Sequence, residues 1–206
     1  MTQTSPQTSP QTFAQAVLKD EIRKAALARR AAIEPAARAA AARAIVARGL
    51  AVADRASART AALYAPMRGE IDCRPLLEAL AAAGCDTALP CASERGLPLI
   101  FRRWRPGENL IPGRFGVREP SAQNPSVVPA VIFAPLAAFD RAGRRIGYGG
   151  GYYDATLAAL AAAGRRPLAV GLAFATQEVA QIPAEAHDES LDFVLTEAGT
   201  ISCAGA

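Results

Sequence analysis

Hydrophobic and polar residues alternate along the chain with two different periods, and the switches between these periods predict alternating helices and strands. Residues 13–32 place Val17, Ile22 and Leu27 among charged side chains, which is the spacing of an amphipathic helix. Three further helices are predicted to stop at the glycine that closes each stretch, because glycine readily takes the left-handed turn after a last helical turn. They are residues 35–49, 72–84 and 152–164.

Short runs rich in apolar and β-branched residues separate these helices and are predicted to be strands. They are residues 60–65, 85–91, 97–103, 127–134, 168–174 and 192–195. The alternation predicts an α/β fold, a single layered domain whose largely parallel central sheet is flanked by helices as a Rossmann-like three-layer sandwich. We assign this domain to residues 13–198. A disordered N-terminal tail at residues 1–12, where Gln-Thr-Ser-Pro repeats, and a C-terminal tail at residues 199–206 would flank it.

Composition indicates a globular protein and is compatible with an anionic ligand. Of the 206 residues, 51% are hydrophobic, which is enough to bury a core, and 20% are charged, with a net charge of +4. Lys19 and Lys24 are the only lysines, so arginine carries nearly all the positive charge, and its planar fork suits phosphate and carboxylate. An arginine excess is also typical of a GC-rich genome. The one basic cluster around an aromatic ring, at residues 102–105, is too small to predict nucleic-acid binding.

The cysteines and the single histidine exclude the common zinc sites, because no Cys-x-x-Cys pair is present. The four cysteines are Cys73, Cys85, Cys91 and Cys203. No apolar run reaches the length of a membrane span, and the N-terminus lacks the features of a secretory signal. We therefore expect a cytoplasmic protein with reduced thiols and no membrane partner.

The sharpest feature is a glycine-rich stretch at residues 144–154, Arg-Arg-Ile-Gly-Tyr-Gly-Gly-Gly-Tyr-Tyr-Asp, which leads into the last predicted helix. Glycines let backbone N–H groups turn toward an anion, the helix N-terminus adds partial positive charge, and the two arginines add full charges. The stretch lacks the Gly-Lys-Ser/Thr of a Walker A loop, and Tyr152 stands where a dinucleotide fingerprint has its last glycine. It therefore predicts a phosphate cradle of another kind. The alternative is a flexible connection between a strand and a helix.

Residues 139–154, Phe-Asp-Arg-Ala-Gly-Arg-Arg-Ile-Gly-Tyr-Gly-Gly-Gly-Tyr-Tyr-Asp, resemble the signature of the 5-formyltetrahydrofolate cyclo-ligase family. Supporting pieces follow in the family's order: Lys19-x-x-x-Arg23, Met-Arg-Gly-Glu-Ile-Asp at residues 67–72, Pro90, and Phe-Gly-Val-Arg-Glu-Pro at residues 115–120. The resemblance covers about residues 13–196. It departs at Gly150, where the family often has lysine, and this leaves one charge fewer near the nucleotide.

This resemblance implies an ATP- and Mg²⁺-dependent enzyme that converts 5-formyltetrahydrofolate, with or without a polyglutamate tail, to 5,10-methenyltetrahydrofolate. The formyl oxygen would attack the γ-phosphate of ATP, and N10 of the folate would then close the ring as phosphate leaves. Such chemistry requires positioning and charge neutralisation but no protein nucleophile, which agrees with the lack of a histidine-based triad in the sequence. We expect the protein to act as a monomer.

The resemblance also implies a set of site residues. The catalytic residues would be Lys19, Arg145 and Tyr153. ATP would be bound by Lys19, Arg23, Arg145, Ile146, Gly147, Tyr148, Gly149, Gly150, Gly151, Tyr152 and Tyr153. The folate would contact Ala65, Met67, Glu70, Tyr148, Gly150 and Tyr152. The Mg²⁺ ion would be held by Asp154 and Asp188.

Each assignment has a structural alternative. Lys19 and Arg23, four residues apart, could lie on a solvated helix face, and Asp154 could be a helix N-cap. Asp188 could be an ordinary loop carboxylate, and the tyrosines could serve packing. For function, one alternative is a divergent paralogue with the same nucleotide site and another substrate. Glu70 with Met67 would distinguish this paralogue from the folate enzyme better than the glycine-rich stretch does. The other is a non-catalytic nucleotide- or RNA-binding module.

Overall fold

Four α-helices lie where the hydrophobic pattern predicts them. The computed structural model describes residues 10–203, with the backbone alone at residues 10–13 and 115. The helices are α1 (Pro10–Ala31), α2 (Pro35–Arg55), α3 (Arg74–Ala82) and α4 (Tyr152–Ala162). Residues 1–9 of the predicted N-terminal tail lie outside the described range, whereas residues 10–12 form the start of α1. Over the described range, no helix is both long and apolar enough to cross a membrane.

The strands form one large sheet and two short ladders. They are β1 (Thr60–Ala62), β2 (Asp86–Cys91), β3 (Ile100–Arg103), β4 (Ile111–Pro112), β5 (Arg118–Glu119), β6 (Val131–Pro135), β7 (Ala138–Phe139), β8 (Arg145–Ile146), β9 (Leu168–Leu172), β10 (Phe193–Leu195) and β11 (Thr200–Ser202). The seven-stranded sheet has the order β11-β10-β9-β6-β1-β2-β3. Its five inner strands are parallel, and the edge strands β3 and β11 are antiparallel to their neighbours. The prediction of a largely parallel sheet is confirmed.

Alternation along the sheet strands builds the three layers, because successive side chains of a strand point to opposite faces. In β6, Val131 and Phe133 pack into a core cluster with α2 and α3, whereas Ile132 and Ala134 pack into a second cluster with α4. All four of these side chains are buried. The central sheet is therefore covered by helices on both faces, as the sequence predicts for an α/β sandwich.

Helix α2 runs past Gly49 to Arg55, so the predicted stop at this glycine is wrong. A Cβ atom at position 49 would lie 2.5 Å from both Cδ atoms of Leu76 on α3. Gly49 is therefore a close-packing residue between two helices and does not end the first of them. The glycines at positions 84 and 164 do take left-handed backbone angles after their helices, with φ of 84° and 69°.

The C-terminal boundary of the predicted domain also differs from the structure. Strand β11 lies inside the segment assigned to a C-terminal tail, and it pairs with β10 from Phe193–Ser202 to Leu195–Thr200. Cys203 is buried against the second core cluster. Of the three residues of β11, Ile201 alone is apolar, so the segment has too little hydrophobic pattern to predict a strand.

The order of the sheet places a crevice between β1 and β6. The chain adds β2 on one side of β1, then returns to add β6, β9 and β10 on the other side. Ligands of open α/β sheets bind at such a reversal, beyond the carboxyl ends of the strands. The segment after β1 and the β7–β8 hairpin after β6 both begin at this edge. Helix α1 packs Ile22 and Ala26 against that hairpin, through Ala138 and Ile146.

Candidate active site

The glycine-rich loop runs from the end of β8 into α4, and no side-chain cap bonds the first turn of that helix. Gly149 and Gly151 have φ of 82° and 68°, a left-handed conformation that favours glycine. Gly151 is the N-cap of α4 and provides no side-chain cap. The backbone amides of the first turn, together with the helix dipole, fit the anion cradle that the sequence predicts.

Gly150 lies against the ring of Tyr152. A Cβ atom at position 150 would be 2.7 Å from Cδ2 and 2.8 Å from Cε2 of that ring. A lysine at this position would require the tyrosine to move. The departure from the family pattern at Gly150 therefore has a steric counterpart in the packing of the loop.

Lys19 of α1 lies between two carboxylates. Its Nζ is 2.5 Å from Oε2 of Glu185 and 2.6 Å from Oδ2 of Asp188, and its side chain is only 12% exposed. Burial lowers the pKa of Lys19, but the hydrogen bonds and charges of Asp188 and Glu185 outweigh it and raise that pKa above its ordinary value. Lys19 is therefore not on a solvated helix face. Glu185, which the sequence analysis did not select, forms with His187 and Asp188 a group whose ligand atoms lie within 4.8 Å of one another.

Arg23, one helical turn after Lys19, reaches the glycine-rich loop. Its Nε donates to the carbonyl of Gly147 at 2.9 Å, and its Nη1 is 2.9 Å from Oδ1 of Asp20. The structure therefore places Arg23 at the glycine-rich loop and Lys19 at the carboxylates of Glu185 and Asp188. Arg95, from the β2–β3 connection, also donates to this loop, at the carbonyl of Gly149.

Arg145 and Asp154 form an ion pair under the loop. Nη2 of Arg145 is 2.7 Å from Oδ1 of Asp154, and the arginine side chain is 5% exposed. The same Oδ1 accepts from the amide of Glu189 at 3.1 Å, and Arg145 also donates to the carbonyl of Glu189. Asp154 is the third residue of α4 and not its N-cap, so the capping alternative is wrong. These contacts bring Asp154 next to the segment that carries Asp188.

Glu70 lies in a tight turn after β1. Its Oε2 accepts from the amide of Met67 at 2.9 Å, and the turn contains Arg68 and Gly69 with φ of 50° and 74°. Burial raises the pKa of Glu70, and this rise is partly opposed by the Met67 amide, the Tyr148 hydroxyl and nearby arginines. A non-glycine residue with left-handed angles is uncommon and costs energy, so surrounding contacts must hold this turn in place.

Two arginines that the sequence analysis missed hold the Glu70 turn. Arg30 of α1 donates to the carbonyl of Arg68 at 2.7 Å, and Arg38 of α2 donates to the carbonyl of Gly69 at 2.8 Å. A signal for Arg30 was present, because it follows Arg23 by seven residues and so shares a helix face with it. Arg38 has no such signal among the many arginines of α2.

The three tyrosines of the loop have different surroundings. The Tyr148 hydroxyl accepts from Nη1 of Arg30 at 2.6 Å, and the guanidinium carbon lies 5.7 Å from the centre of its ring. Tyr153 packs against the second core cluster, and burial followed by the charge of Glu70 raises its pKa above the ordinary value. Tyr152 stacks beside Gly150. Tyr148 is thus the tyrosine that connects the glycine-rich loop to the Glu70 turn.

The remaining predicted residues frame this crevice. Ala65 and Met67 are partly exposed in the segment after β1, on the Glu70 side. Ile146 is buried against α1, so its side chain belongs to the core and any ligand contact would come from its backbone. The structure therefore brings the predicted nucleotide and folate residues to one edge of the sheet.

Known proteins match nearly the whole of this architecture. The model of the 5-formyltetrahydrofolate cyclo-ligase family matches residues 15–197. The 5-formyltetrahydrofolate cyclo-ligase of Escherichia coli is 35% identical over 144 residues, which cover 68% of this chain and 78% of that protein. The enzyme of the same name from Mycolicibacterium smegmatis is 36% identical over 151 residues, which cover 68% of this chain and 74% of that protein.

A solved structure shares the fold. The NMR structure of the 5,10-methenyltetrahydrofolate synthetase of Aquifex aeolicus superposes with a TM-score of 0.74 at 27% identity. The match covers 92% of this chain and 94% of that one. The layered α/β fold is therefore shared with a methenyltetrahydrofolate synthetase.

Proposed function

The chain belongs to the 5-formyltetrahydrofolate cyclo-ligase family, and we propose from this that it closes 5-formyltetrahydrofolate to 5,10-methenyltetrahydrofolate at the expense of ATP. The observation that supports the proposal best is the meeting of two loops at the reversal point of the sheet. One is a glycine-rich anion cradle and the other carries a partly buried carboxylate, Glu70, beside Tyr148. The reaction needs a nucleotide and a folate side by side, and the two loops would each bind one of them.

The proposed reaction has two steps. In the first, the oxygen of the formyl group carried by N5 attacks the γ-phosphorus of ATP, so that an O–P bond forms and the bond from that phosphorus to ADP breaks. N10 then attacks the formyl carbon and loses its proton. Phosphate leaves with the electrons of the C–O bond, which gives the methenyl bridge between N5 and N10. The protein contributes alignment and charge neutralisation, which are the main contributions to phosphoryl transfer.

Residues of α1 and of the loop would hold the nucleotide. The guanidinium of Arg23 contacts the loop at Gly147, and the ammonium of Lys19 lies one helical turn away between Glu185 and Asp188. Both cations would neutralise the phosphates. Backbone amides of residues 147–153 would bind phosphate oxygens at the start of α4. Arg145 would act mainly through Asp154, because its guanidinium already contacts that carboxylate and the Glu189 carbonyl.

The donors around the loop fit a magnesium ion. Mg²⁺ prefers carboxylate oxygens and keeps several waters, and the Asp154 carboxylate accepts from the amide of Glu189, the residue that follows Asp188 in the chain. Glu185 adds a third carboxylate, and Lys19 shows that this group already attracts a cationic centre. When bound, the ion would neutralise charge on the β- and γ-phosphates. Asp154 and Asp188 are the proposed Mg²⁺ ligands, and Glu185 is proposed as a third.

The Glu70 turn would hold the folate. A carboxylate in this position can accept hydrogen bonds from the N–H groups of the pterin and orient the formyl group. Tyr148 and Tyr152 offer aromatic rings, and Ala65 and Met67 line the partly exposed segment after β1. Tyr153, whose pKa is raised by burial and by the charge of Glu70, is the proposed third catalytic residue.

The test is to mix the protein with ATP, Mg²⁺ and 5-formyltetrahydrofolate and to follow the absorbance of the methenyl product and the release of ADP. We expect both to rise together, and neither to rise when ATP, Mg²⁺ or the folate is omitted. ATP turnover without ring closure would favour the paralogue with another substrate. Glu70→Gln provides a matched variant that keeps the volume and removes the charge.

The oligomeric state, the cellular compartment and the form of the folate are also proposed. We propose that it works as a monomer in the cytoplasm, on folate with or without a polyglutamate tail. All four cysteines are free thiols, which suits a reducing compartment. Light scattering on the purified protein would test the monomer, and localisation of a tagged chain would test the cytoplasmic location.

A further inference from the structure

We propose that Arg30 is a positioning residue that couples the nucleotide loop to the folate turn. Binding of the nucleotide at the glycine-rich loop would fix the position of the Arg30 side chain, and Arg30 would hold the Glu70 turn in the conformation that binds the folate. This inference rests on the proposed function and assigns to it a residue that neither the loop signature nor the metal group contains.

The contacts of Arg30 join three segments that are far apart in sequence. Its Nη1 donates to the hydroxyl of Tyr148 at 2.6 Å and lies 3.4 Å from the carbonyl of Leu136. Its Nη2 donates to the carbonyl of Arg68 at 2.7 Å. One guanidinium therefore holds the glycine-rich loop, the end of β6 and the turn that carries Glu70.

Stability alone does not account for such a residue. The Arg30 side chain is buried at 3% exposure, and its three hydrogen-bond acceptors are two carbonyls and a tyrosine hydroxyl. Burying a charge is costly when, as among these three acceptors, no carboxylate is present. Glu70 is the nearby anion that feels this charge, because Arg30 is among the groups that oppose the rise in its pKa. The planar Arg30 guanidinium has five N–H donors and joins the two loops proposed to bind the ligands, which explains why the charge is buried there.

The neighbouring Arg38 provides an internal comparison. It donates to Gly69 in the same turn, to the carbonyls of Ile33 and Arg30, and its guanidinium carbon lies 5.5 Å from the centre of the Phe174 ring. None of these contacts reaches the glycine-rich loop. Both arginines thus support the strained turn, but Arg30 alone of the two also holds Tyr148.

Coupling between two binding sites is a measurable and reciprocal quantity. We expect Mg²⁺ with a non-hydrolysable ATP analogue to tighten the binding of 5-formyltetrahydrofolate, by a factor within the roughly 5- to 150-fold range common for such coupling. In Arg30→Met, which keeps volume without charge or donors, this factor should fall below about twofold. The dissociation constant of each ligand alone should change much less. Turnover should fall more than either Michaelis constant rises.

The experiment is calorimetric titration of the folate in the absence and presence of saturating analogue, for the wild type and three variants. Tyr148→Phe removes the same link from its other end and should lose the coupling as well. The double variant Arg30→Met/Tyr148→Phe should lose nothing further. Arg38→Met is the control, since it loosens the same turn and should retain the coupling.

The outcomes separate this inference from the proposed function. A wild type that binds both ligands without coupling would overturn the inference, as would a folded Arg30→Met that keeps the full factor. If Arg30→Met does not fold, Tyr148→Phe decides, because it removes one hydroxyl alone and full coupling in it would overturn the inference. A wild type that binds the analogue and shows no affinity for the folate would overturn the proposed function itself.

Discussion

Replacing Asp154 by asparagine should lower both the stability of the fold and its response to Mg²⁺. The Asp154 carboxylate accepts from Arg145 at 2.7 Å and from the Glu189 amide at 3.1 Å, and Arg145 is nearly buried. Asparagine keeps an oxygen acceptor at this position but has no charge. The guanidinium of Arg145 would then lie under the loop without its carboxylate.

The magnitude follows from these contacts. A hydrogen bond to a charged group contributes about 1.5–3 kcal/mol and a neutral one about 0.5–1.5 kcal/mol, so the loss is about 1–1.5 kcal/mol for the Arg145 bond. Asp154 is 26% exposed, so solvent screening favours the lower end of that range. For a domain of this size, roughly 2–4 °C of melting temperature corresponds to each kcal/mol, which gives a fall of about 2–6 °C.

The assay is a pair of measurements on each variant: the melting temperature without nucleotide, and the turnover rate as Mg²⁺ is titrated. The control is Asp192→Asn, because Asp192 also pairs with an arginine, Arg166 at 2.8 Å, and accepts from the Ala169 amide, away from the loop. Both variants should melt lower than the wild type. Asp154→Asn alone should also need more Mg²⁺ to reach its maximal rate, and high Mg²⁺ should rescue it in part.

Two results would refute this reasoning. An unchanged melting temperature in Asp154→Asn would show that the ion pair with Arg145 contributes nothing to the fold. An unchanged Mg²⁺ response would show that Asp154 is only the partner of Arg145, and the metal would then be held by ATP and by other carboxylates. A shift of the Mg²⁺ response in Asp192→Asn of the same size would mean that lost stability, and not lost ligation, is being measured.

Three further predictions concern the two sides of the crevice. Lys19→Ala should raise the Michaelis constant for ATP roughly tenfold or more, because a charge-assisted phosphate contact contributes about 1.5–3 kcal/mol, and steady-state kinetics would reveal an unaffected enzyme. The pKa of Glu70 is raised in the fold, so the folded state binds this proton more tightly, and the wild type should lose stability as pH rises from 4.5 through the raised pKa. Denaturant unfolding of Glu70→Gln across that window should lack this loss, and an equal slope in both proteins would exclude Glu70 as its source. Arg95→Ala should weaken binding of the ATP analogue with little change in folate binding, since Arg95 donates to the loop at the carbonyl of Gly149; unaltered titration curves would make it a surface residue.

The hydrophobic pattern was sufficient for the helices, the inner strands and the parallel sheet. It failed where a residue serves a neighbour that is distant in sequence. Gly49 has the form of a helix stop, but its missing side chain makes room for Leu76, a contact that no local pattern contains. Strand β11 is stabilised by pairing with β10, so its own three residues need not show a strand period.

The site residues divide in the same way. The glycine-rich loop could be selected from its residue pattern and from the resemblance, whereas Lys19 and Arg23 could be selected from the resemblance only, because their spacing also fits a solvated helix face. Arg30 follows Arg29 in an arginine-rich helix, and its seven-residue spacing from Arg23 places it on the same helix face as Arg23, whereas its burial and its partners are evident only in the fold. Asp154 shows the converse, since its place near a helix start suggested a cap, whereas its partner is Arg145 across the loop.

The measurement that tests the central claim most directly is the fate of the formyl oxygen. The protein would be given ATP, Mg²⁺ and 5-formyltetrahydrofolate labelled with ¹⁸O in the formyl group, and the released phosphate would be analysed by mass spectrometry. The account predicts one labelled oxygen in each phosphate, formed in step with the methenyl product. Unlabelled phosphate, with the label retained in the folate or released as formate, would contradict transfer of the phosphoryl group to the formyl oxygen.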